Sequence, residues 1–371
     1  MNYTMEPMGY QLSNKYRDLP VCPGMPPLQP AETALETASC RLFWRYYGHS
    51  SYRGAYSMAQ LQYGIEKFGQ LKTVMVHSPV QSLSKITQDN REFFLFDQVP
   101  DADRYLEEHR RYCTLLKDHG VRVLYLSDHV RRHRALLERL PNLAYMHDIA
   151  VISSHGAIVS KMSSLGRCHE EIVVREALTD LGIPTLYEPC EGDRFEGCLL
   201  LSPKTVFVAD TERHDRRAIE KFINHILQYF DEVLYAQIPQ ERRFMHPDMV
   251  LNRITDQLMV CYPPAFLQTF HITREQRTQI DLNAWMKARN IELIPLSDRE
   301  QRHWGSSFVP LKPGVIICYD ISYDESTIAL LERKGVQFIF FHPEALLAGG
   351  GSLRCLTMRL YRAAGERCSP L

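Results

Sequence analysis

The chain has 371 residues and a formal net charge of −1 at pH 7, from 43 basic and 44 acidic side chains. This balance excludes the strongly basic surface of nucleic-acid-binding proteins and argues against a polybasic membrane anchor. Apolar residues make up 45% of the chain and charged residues 23%, which is typical of a globular protein. No apolar run approaches the roughly 20 residues of a membrane-spanning helix. We therefore expect neither nucleic acid nor a membrane as a partner.

The amino-terminal sequence and the cysteine content indicate the cellular compartment. The first thirty residues are polar, so the sequence predicts no secretory signal peptide. Ten cysteines without such a signal are typical of reduced thiols, and we expect a cytoplasmic protein. No two cysteines have the CxxC spacing, so neither a zinc ribbon nor a thioredoxin-like motif is predicted.

Residues 1–66 differ in composition from the rest of the chain. Five prolines fall within eleven residues, from Pro20 to Pro30, which predicts an irregular segment without helices or strands. An aromatic cluster that begins at Phe43 indicates packing on the main body. We interpret this segment as a structural extension, with a lid or a dimer contact as the alternative. Residues 67–371 are predicted to form a single domain.

From residue 71 onward the same elements recur about every 45–60 residues: a pair of strands, a helix and a closing strand. Five such units predict one α/β domain. The predicted strands are 71–76, 121–126, 149–152, 157–161, 184–187, 198–201, 205–209, 232–236, 249–254, 257–262, 291–296, 315–319 and 336–341. The predicted helices are 101–119, 170–181, 212–230, 273–288 and 325–334.

A run of three glycines, residues 349–351, lies shortly before Cys355. Such a loop permits unusual backbone angles and the close approach of a ligand. Cys355 is a candidate nucleophile, because exposed backbone N–H groups and the neighbouring Arg354 can lower the pKa of a thiol. A buried, unreactive cysteine is the alternative for Cys355, as for most of the other cysteines.

Five chemically reactive side chains fall at the starts of repeated strands: Asp148, Glu196, His246, Asp248 and Cys355. The starts of strands in a cyclic repeat converge on one axis. His246 and Asp248 are two residues apart, so that in a strand they point to the same side, as a general acid/base beside a carboxylate would. Carboxylates that converge with one cysteine and one histidine suit a planar cation attacked by a thiolate.

With these motifs in order, the sequence resembles the guanidine-modifying (pentein) superfamily and, within it, the arginine deiminases most closely. The resemblance covers residues 71–357. The motifs that carry it lie at 90–97, 141–148, 195–197, 246–248 and 349–357.

The resemblance implies a five-bladed α/β propeller of hairpin-helix-strand units, with the site on its axis. It implies that Cys355 attacks the guanidinium carbon of a substrate and forms a covalent amidino-thioether. His246 would protonate the leaving amine and then activate water. Asp148 and Asp248 would hold the guanidinium nitrogens, and Glu196 would support the histidine or the substrate.

The resemblance also implies how the rest of the substrate is held. Asn142 and Arg213 match positions that hold the amino-acid end of arginine, and Gly350 and Arg354 of the glycine loop are assigned to substrate binding. The implied partner is a small guanidine such as arginine, and neither a metal nor an organic cofactor is implied. Carboxylates would fix the planar cation for attack, and its charge would favour the thiolate. Whether the protein forms a homo-oligomer is left open.

Four positions depart from the pattern of the arginine deiminases. Cys198 and Leu199 stand where the family has a glycine and an aspartate. His147 stands where an arginine is usual, and Ala348 replaces an arginine that is typical before the glycine loop. These differences affect substrate contacts more than the pair of Cys355 and the histidine, so they leave the identity of the guanidine open.

Four functions are compatible with these residues. The first is hydrolysis of arginine or a related guanidine to a ureido product and ammonia. The second is an amidinotransferase, in which an amine replaces water, since the glycine loop is also similar to amidinotransferases and dimethylarginine hydrolases. The third is a catalytically impaired guanidine-binding protein. The fourth is a Cys-His-Asp peptidase, for which the carboxylates outnumber what a peptide amide needs.

Overall fold

The computed structural model describes residues 61–364, which belong to one compact unit. The proline-rich and aromatic segments of the predicted extension lie outside the described residues, so the division between residues 66 and 67 stays a prediction. Within the part of the chain that the structure describes, no helix has the length and apolar character needed to cross a membrane.

Short strands alternate with helices along the described chain. The strands are β1 (Leu71–Val76), β2 (Arg122–Tyr125), β3 (Ala150–Ser153), β4 (Gly156–Val159), β5 (Thr185–Tyr187), β6 (Leu199–Leu200), β7 (Thr205–Asp210), β8 (Glu232–Gln237), β9 (Leu251–Arg253), β10 (Leu258–Cys261), β11 (Gln268–Ile272), β12 (Arg277–Ile280), β13 (Glu292–Pro295), β14 (Val309–Lys312), β15 (Val315–Tyr319), β16 (Gln337–Phe341) and β17 (Met358–Arg362). The helices are α1 (Ala102–Asp118), α2 (Arg134–Leu137), α3 (Glu170–Asp180), α4 (Arg216–Ile226), α5 (Leu282–Lys287), α6 (Asp298–Arg302) and α7 (Glu325–Arg333).

The described strands form five sheets, with the strand orders β17-β1-β2, β3-β4-β5, β6-β7-β8-β11-β12, β9-β10-β13 and β14-β15-β16. Each sheet contains an antiparallel pair and a parallel strand that follows a crossover. The crossovers contain α1, α3, α4, α5 and α7, as parallel pairing requires. The mixed α/β class is therefore confirmed. The predicted order of elements is observed in the units that contain β3–β5 and β6–β8, whereas the other units contain strands that the sequence does not predict.

The first sheet takes its antiparallel strand from the far end of the chain. β17 pairs with β1, whereas β2 pairs with β1 in parallel after α1. The sequence analysis assigned no strand to residues 358–362, because pairing between residues so distant in sequence leaves no local signal. This pairing places the glycine loop and Cys355, which directly precede β17, beside the first unit.

The predicted helix over residues 273–288 is wrong. Residues 268–280 form the hairpin β11–β12, which extends the edge of β8, and only α5 is helical. α5 begins where Asp281 accepts a hydrogen bond from the backbone N–H of Ala284, at 2.7 Å. β12 is largely exposed, and the pairing of β11 with β8 decides the outcome over local propensity.

Helix α4 shows how a unit builds its core. It begins after Asp215 rather than at the predicted residue 212, and the loop before it is free to carry site residues. Its apolar side chains recur at the spacing of one helical face and pack on β7 and β8. These residues, all buried, are Ala218, Ile219, Phe222, Ile223 and Ile226. Burial of a phenylalanine such as Phe222 contributes about 1.5–3 kcal/mol.

Candidate active site

One cavity of about 570 Å³, including its open mouth, contains most of the predicted site residues. Glu196, Asp248 and Arg354 are not among its lining residues. The predicted residues that line it are Cys355, His246, Asp148, Asn142, Arg213 and Gly350.

The loops that precede strands supply the reactive groups. Asp148 ends a 3-10 turn before β3, and Glu196 lies three residues before β6. His246 precedes the turn Pro247–Met249, which leads into β9, and Cys355 lies three residues before β17. Four different sheets thus contribute one group each from the same kind of position, as the repeat predicts.

His246 lies between two buried carboxylates. Its Nε2 atom is 2.9 Å from Oε2 of Glu196 and 3.2 Å from Oδ2 of Asp148. Burial disfavours the imidazolium, but the charge of Asp148 and the hydrogen bond to Glu196 outweigh it, so the pKa of His246 is raised. His246 is therefore equipped to hold a proton and deliver it as a general acid.

Glu196 is held as a carboxylate despite complete burial. Burial opposes its ionisation, yet the hydrogen bond from His246 and the charge of Arg213 bring its pKa well below the usual range. Its other oxygen accepts a hydrogen bond from the backbone N–H of Ser163, at 2.6 Å. Since Glu196 does not line the cavity, its contacts support His246 rather than a direct contact with substrate.

The thiol of Cys355 faces the same cavity and is protonated in the free protein. Burial, followed by the charge of Asp248, raises the pKa of Cys355 to about 11. The nearest polar partner is the hydroxyl of Ser352, whose Oγ lies 3.4 Å from Sγ. Hydrogen bonds from the hydroxyl and the backbone N–H of Ser352 lower this pKa, as expected of the loop, but burial outweighs them. The Arg354 guanidinium contacts His147 and Asp248 and does not contribute the expected lowering.

The glycine loop lies tightly against Tyr145. A Cβ atom added to Gly349 would lie 1.5 Å from the Tyr145 hydroxyl, and one added to Gly351 would lie 2.6 Å from the ring. Gly350 has a φ of +70° and accepts a hydrogen bond at its carbonyl from the indole N–H of Trp304, at 3.3 Å. The loop needs glycine because the backbone, and not a side chain, forms this wall of the cavity.

Asp248 is buried and occupied by protein contacts. Its Oδ2 accepts a hydrogen bond from the Ser307 hydroxyl at 2.5 Å and lies 3.4 Å from Nε of Arg354 and 3.8 Å from Nε2 of His147. Its predicted contact with a guanidinium stays a prediction, because Asp248 does not line the cavity.

Arg354 is directed away from the cavity. Its Nε donates to Nε2 of His147 at 3.2 Å, and its Nη1 donates to the carbonyl of Phe308 at 3.3 Å. The position of Arg354 therefore does not support the predicted contact with substrate.

Asn142 and Arg213 both line the cavity, as their predicted roles require. The Nδ2 atom of Asn142 donates to the carbonyl of Phe94 at 2.6 Å, which fixes the amide. Nη1 of Arg213 lies 3.8 Å from Glu196, and its Nε donates to Glu212 at 3.0 Å.

Arg167 is the site residue that the sequence analysis missed. It holds Asp148 with both terminal nitrogens, with Nη2 at 3.1 Å from Oδ1, and its Nε donates to Glu170 at 2.9 Å. The turn that presents it needs Gly166, because a Cβ there would lie 2.2 Å from the carbonyl oxygen of Phe93. A single arginine in a loop, 19 residues from its aspartate, gives no motif that could have revealed it.

The oxygen and nitrogen atoms of Asp148, Glu196 and His246 are close enough together to hold a metal ion. However, Arg167 already pairs with both oxygens of Asp148, and Arg213 lies near Glu196. The protein's own cations thus compensate these carboxylates, which favours acid–base chemistry over metal binding at this cluster.

Comparison with known proteins agrees with this geometry. The chain is 25% identical over 388 residues to the arginine deiminase of Mycoplasma capricolum, covering 80% of this chain and 96% of that protein. It is 24% identical over 402 residues to the arginine deiminase of Clostridium perfringens, covering 80% and 97% of the two chains.

Solved structures show the same fold at low identity. The N-terminal domain of ArgZ, an arginine dihydrolase from cyanobacteria, aligns with a TM-score of 0.61 at 15% identity, over 79% of this chain and 99% of that domain. AgrE, in a complex with ornithine and NAD+, aligns with a TM-score of 0.61 at 17% identity over 80% of this chain, which spans only 40% of AgrE.

The sequence resemblance is confirmed by a family model. The model for arginine deiminase matches residues 127–362, a range that contains Asp148, Glu196, His246, Asp248 and Cys355. The chain belongs to the arginine deiminase family.

Proposed function

We propose that the protein is a cysteine-dependent enzyme that hydrolyses arginine, or a closely related guanidine, to a ureido product and ammonia. The observation that carries the proposal is the shared cavity of Cys355, His246 and Asp148. A thiol, a proton donor and a buried carboxylate are the groups that displacement at a guanidinium carbon requires.

The raised pKa of Cys355 makes the attack depend on the substrate. A guanidinium cation in the cavity lowers the pKa of the adjacent thiol, whose proton passes to solvent. The thiolate then forms an S–C bond while a C–N double bond becomes single. The leaving nitrogen takes the proton from His246, the C–N bond breaks, and ammonia departs from an amidino-thioether cation.

The second half of the reaction returns the enzyme to its starting state. His246, now neutral, takes a proton from water, and the hydroxide adds to the amidino carbon. The C–S bond breaks, the sulfur recovers a proton from the new hydroxyl group, and the ureido product is released. Asp148 and Glu196 stabilise the imidazolium that forms again.

Two arginines support a guanidine that also carries a carboxylate. Arg213 and Arg242 line the cavity in addition to Arg167, which is already paired with Asp148. Cationic side chains and a carboxylate in one cavity suit a substrate that carries both charges. Arginine has this charge distribution, which supports it as the substrate.

The family has an aspartate at the position of Leu199, and its absence here leaves the reactive cluster intact. Leu199, which replaces it, is 4% exposed and packs in the core, and it does not line the cavity. Because Cys355 and His246 keep their places in the cavity, this substitution does not favour an impaired binding protein.

We further propose that the five sheets are arranged as the five blades of a propeller around the site. The loops before β3, β6, β9 and β17 come from four different sheets and meet at one cavity, which supports this arrangement. A homo-oligomer and a cytoplasmic location stay predictions of the sequence.

The test is turnover of the purified protein with arginine and a panel of guanidines, each with and without glycine or lysine, read by mass spectrometry. We expect the mass change of an NH group replaced by oxygen, with ammonia released and no amine required. Product that forms only with an added amine would establish an amidinotransferase instead. Arginine that binds without turnover would establish the impaired binding protein, and Cys355→Ser serves as the inactive control.

A further inference from the structure

A second cavity, separate from the active site, is surrounded by four buried arginines. Its volume is about 340 Å³ when the solvent-open space at its mouth is included, and it shares no lining residue with the first cavity. We call it the arginine cavity, and its charged lining residues are Arg253, Arg354, Arg359 and Arg362. Each of them is at most 9% exposed.

An irregular strand brings two of these side chains to one cavity. Arg359 and Arg362 both lie in β17, three residues apart, so that a regular strand would direct them to opposite faces. The pairing of β17 with β1 shifts register between Leu71 and Val74, which are paired with Arg362 and Arg359 respectively. A bulge of this kind re-aims side chains, and here it lets both arginines line the cavity.

Two of the arginines are bound by neutral acceptors. Arg362 donates to the carbonyl of Gly69 at 2.8 Å and to that of Pro310. Arg253 donates to the carbonyl of Glu66 at 3.3 Å and stacks with its guanidinium carbon 4.0 Å from the centre of the Phe68 ring. Carbonyl oxygens satisfy N–H groups but leave the net charge in place.

Arg359 is the least satisfied of the four. Among residues 61–364 its Nε atom has no hydrogen-bond partner, although it is fully buried. Its Nη2 reaches only Nδ1 of His147, at 3.5 Å. A buried donor without an acceptor costs about 1–3 kcal/mol, and more when the group is charged. Arg359 therefore presents an unused, charged donor at the cavity.

The carboxylates near the cluster do not balance its charge. Asp248 lies 3.4 Å from Arg354, and Asp256 lies 3.5 Å from Arg253 but has a side chain that is 74% exposed. Within the described part of the chain, no ion pair within 4.0 Å involves Arg359 or Arg362. Buried charges are normally paired, because removing an ion from water costs several kcal/mol.

All four guanidinium groups have a lowered pKa. Burial lowers the pKa of Arg362 to about 9 and that of Arg253 to about 10. For Arg359, burial and then the charges of Arg354 and Arg362 lower the pKa. An anion bound among these groups would offset both the burial of the charges and the repulsion between the neighbouring arginines.

We propose that the arginine cavity binds a small inorganic anion, such as chloride, between Arg359 and the neighbouring guanidinium groups. Carbonyl oxygens accept hydrogen bonds from Arg253, Arg354 and Arg362, whereas Nε of Arg359 is the one atom of these four guanidinium groups that is buried without an acceptor among the described residues. A spherical halide needs few donors and no fixed geometry. A phosphate would present several oxygens that one such donor could not satisfy.

The test is thermal unfolding of the full-length protein at constant ionic strength, in which potassium chloride or bromide replaces potassium gluconate. We expect a saturable rise in Tm of roughly 3 °C at halide concentrations well above Kd, because binding to the folded state alone stabilises it. Arg359→Gln should lose this rise. Arg110→Gln, which removes an exposed arginine of α1, should retain it.

One further measurement decides the proposal if Arg359→Gln does not fold. Bromide soaked into crystals of the unaltered protein should give an anomalous peak beside Arg359. Equal Tm values in halide and gluconate, or an anion effect that Arg359→Gln retains, would overturn the proposal. Since neither readout uses turnover, failure here is distinguishable from failure of the proposed activity.

Discussion

Arg167 holds the carboxylate of Asp148 with both of its terminal nitrogens, and both residues are buried. The same carboxylate lies 3.2 Å from His246, so one arginine fixes the group that supports the proton donor. A bidentate pair of this kind restricts orientation as well as charge. The reactivity of His246 thus depends on a residue that carries no recognisable motif.

Removal of Arg167 should cost both stability and activity. In Arg167→Gln, Asp148 remains buried without its cation, and we expect a loss of about 3–5 kcal/mol in the free energy of unfolding. Urea unfolding measures this loss, and kcat/KM with arginine measures activity. Arg175→Gln is the matched control, because Arg175 pairs with Glu188 at the surface and its loss should cost only about 0–1 kcal/mol.

A double variant separates charge from packing at Arg167. Arg167→Gln with Asp148→Asn should recover the part of the stability that the unpaired Asp148 carboxylate costs, while Glu170 still lacks its cation and turnover stays abolished. If the double variant is as unstable as the sum of its parts, packing rather than ion pairing explains the role of Arg167.

The thiol of Cys355 should react slowly at neutral pH in the free protein. Its pKa of about 11 leaves little thiolate, and the charge of Asp248 contributes to that value. We expect the rate of alkylation of Cys355 by iodoacetamide to rise with pH up to about this value, and Asp248→Asn to increase the rate at neutral pH. Peptide mass spectrometry identifies the alkylated residue.

The matched control for alkylation is Cys355→Ser, which reports the background from the exposed Cys190 and the other cysteines. A Cys355 that alkylates rapidly at pH 7 in the free protein would show that the substrate is not needed to form the thiolate. An unchanged rate in Asp248→Asn would remove Asp248 as a cause of the raised pKa.

The reactive residues could be predicted because short motifs encode them. His246 and Asp248 are two residues apart, and Cys355 follows a glycine run, so each carries a local signature. The repeat then predicts that loops before strands converge, which the placement of Asp148 and Glu196 before β3 and β6 matches.

The residues that could not be predicted act over long separations in sequence. Arg167 meets Asp148, and β17 meets β1, through tertiary packing that leaves no periodic signal. Arg354 is adjacent to the nucleophile, yet its side chain turns to His147 and the arginine cavity. Adjacency in sequence does not fix the direction of a side chain, so its predicted role did not follow.

His246 should titrate above the ordinary value of 6.5. Glu196→Gln removes a hydrogen-bonding carboxylate, so it should shift the pKa of His246 downward. The imidazole resonance of labelled protein, assigned with His246→Gln, measures both values by NMR. Asp320→Asn is the control, because Asp320 pairs with the exposed His342 at 2.8 Å and should leave His246 unchanged.

The same shift has a defined effect on stability. Because the folded-state pKa of His246 is raised, its contribution to stability is complete below pH 6.5 and is lost as the pH rises through the folded-state value. Glu196→Gln should reduce this contribution. A downward shift that is absent in Glu196→Gln would mean that Asp148 alone sustains the imidazolium.

Substitutions at Gly349 and Tyr145 should have strongly coupled effects on kcat. In Gly349→Ala the new Cβ meets the Tyr145 hydroxyl at 1.5 Å, so the loop that leads to Cys355 must move, and we expect kcat to fall by at least about tenfold. Tyr145→Phe removes that hydroxyl and should restore part of kcat in the double variant. Gly182→Ala is a control for backbone strain away from the site, since Gly182 has a φ of +74° but no atom lies within 4 Å of its added Cβ, and it should leave kcat unchanged.

The double-mutant cycle decides whether this steric contact controls the nucleophile. A positive coupling energy in kcat, with Tm changed little between the single and double variants, would place the effect on the position of Cys355. Losses in kcat that simply add would show that the alanine acts on the loop independently of Tyr145. In the first case, relief of the contact with the Tyr145 hydroxyl returns Cys355 toward its place in the cavity.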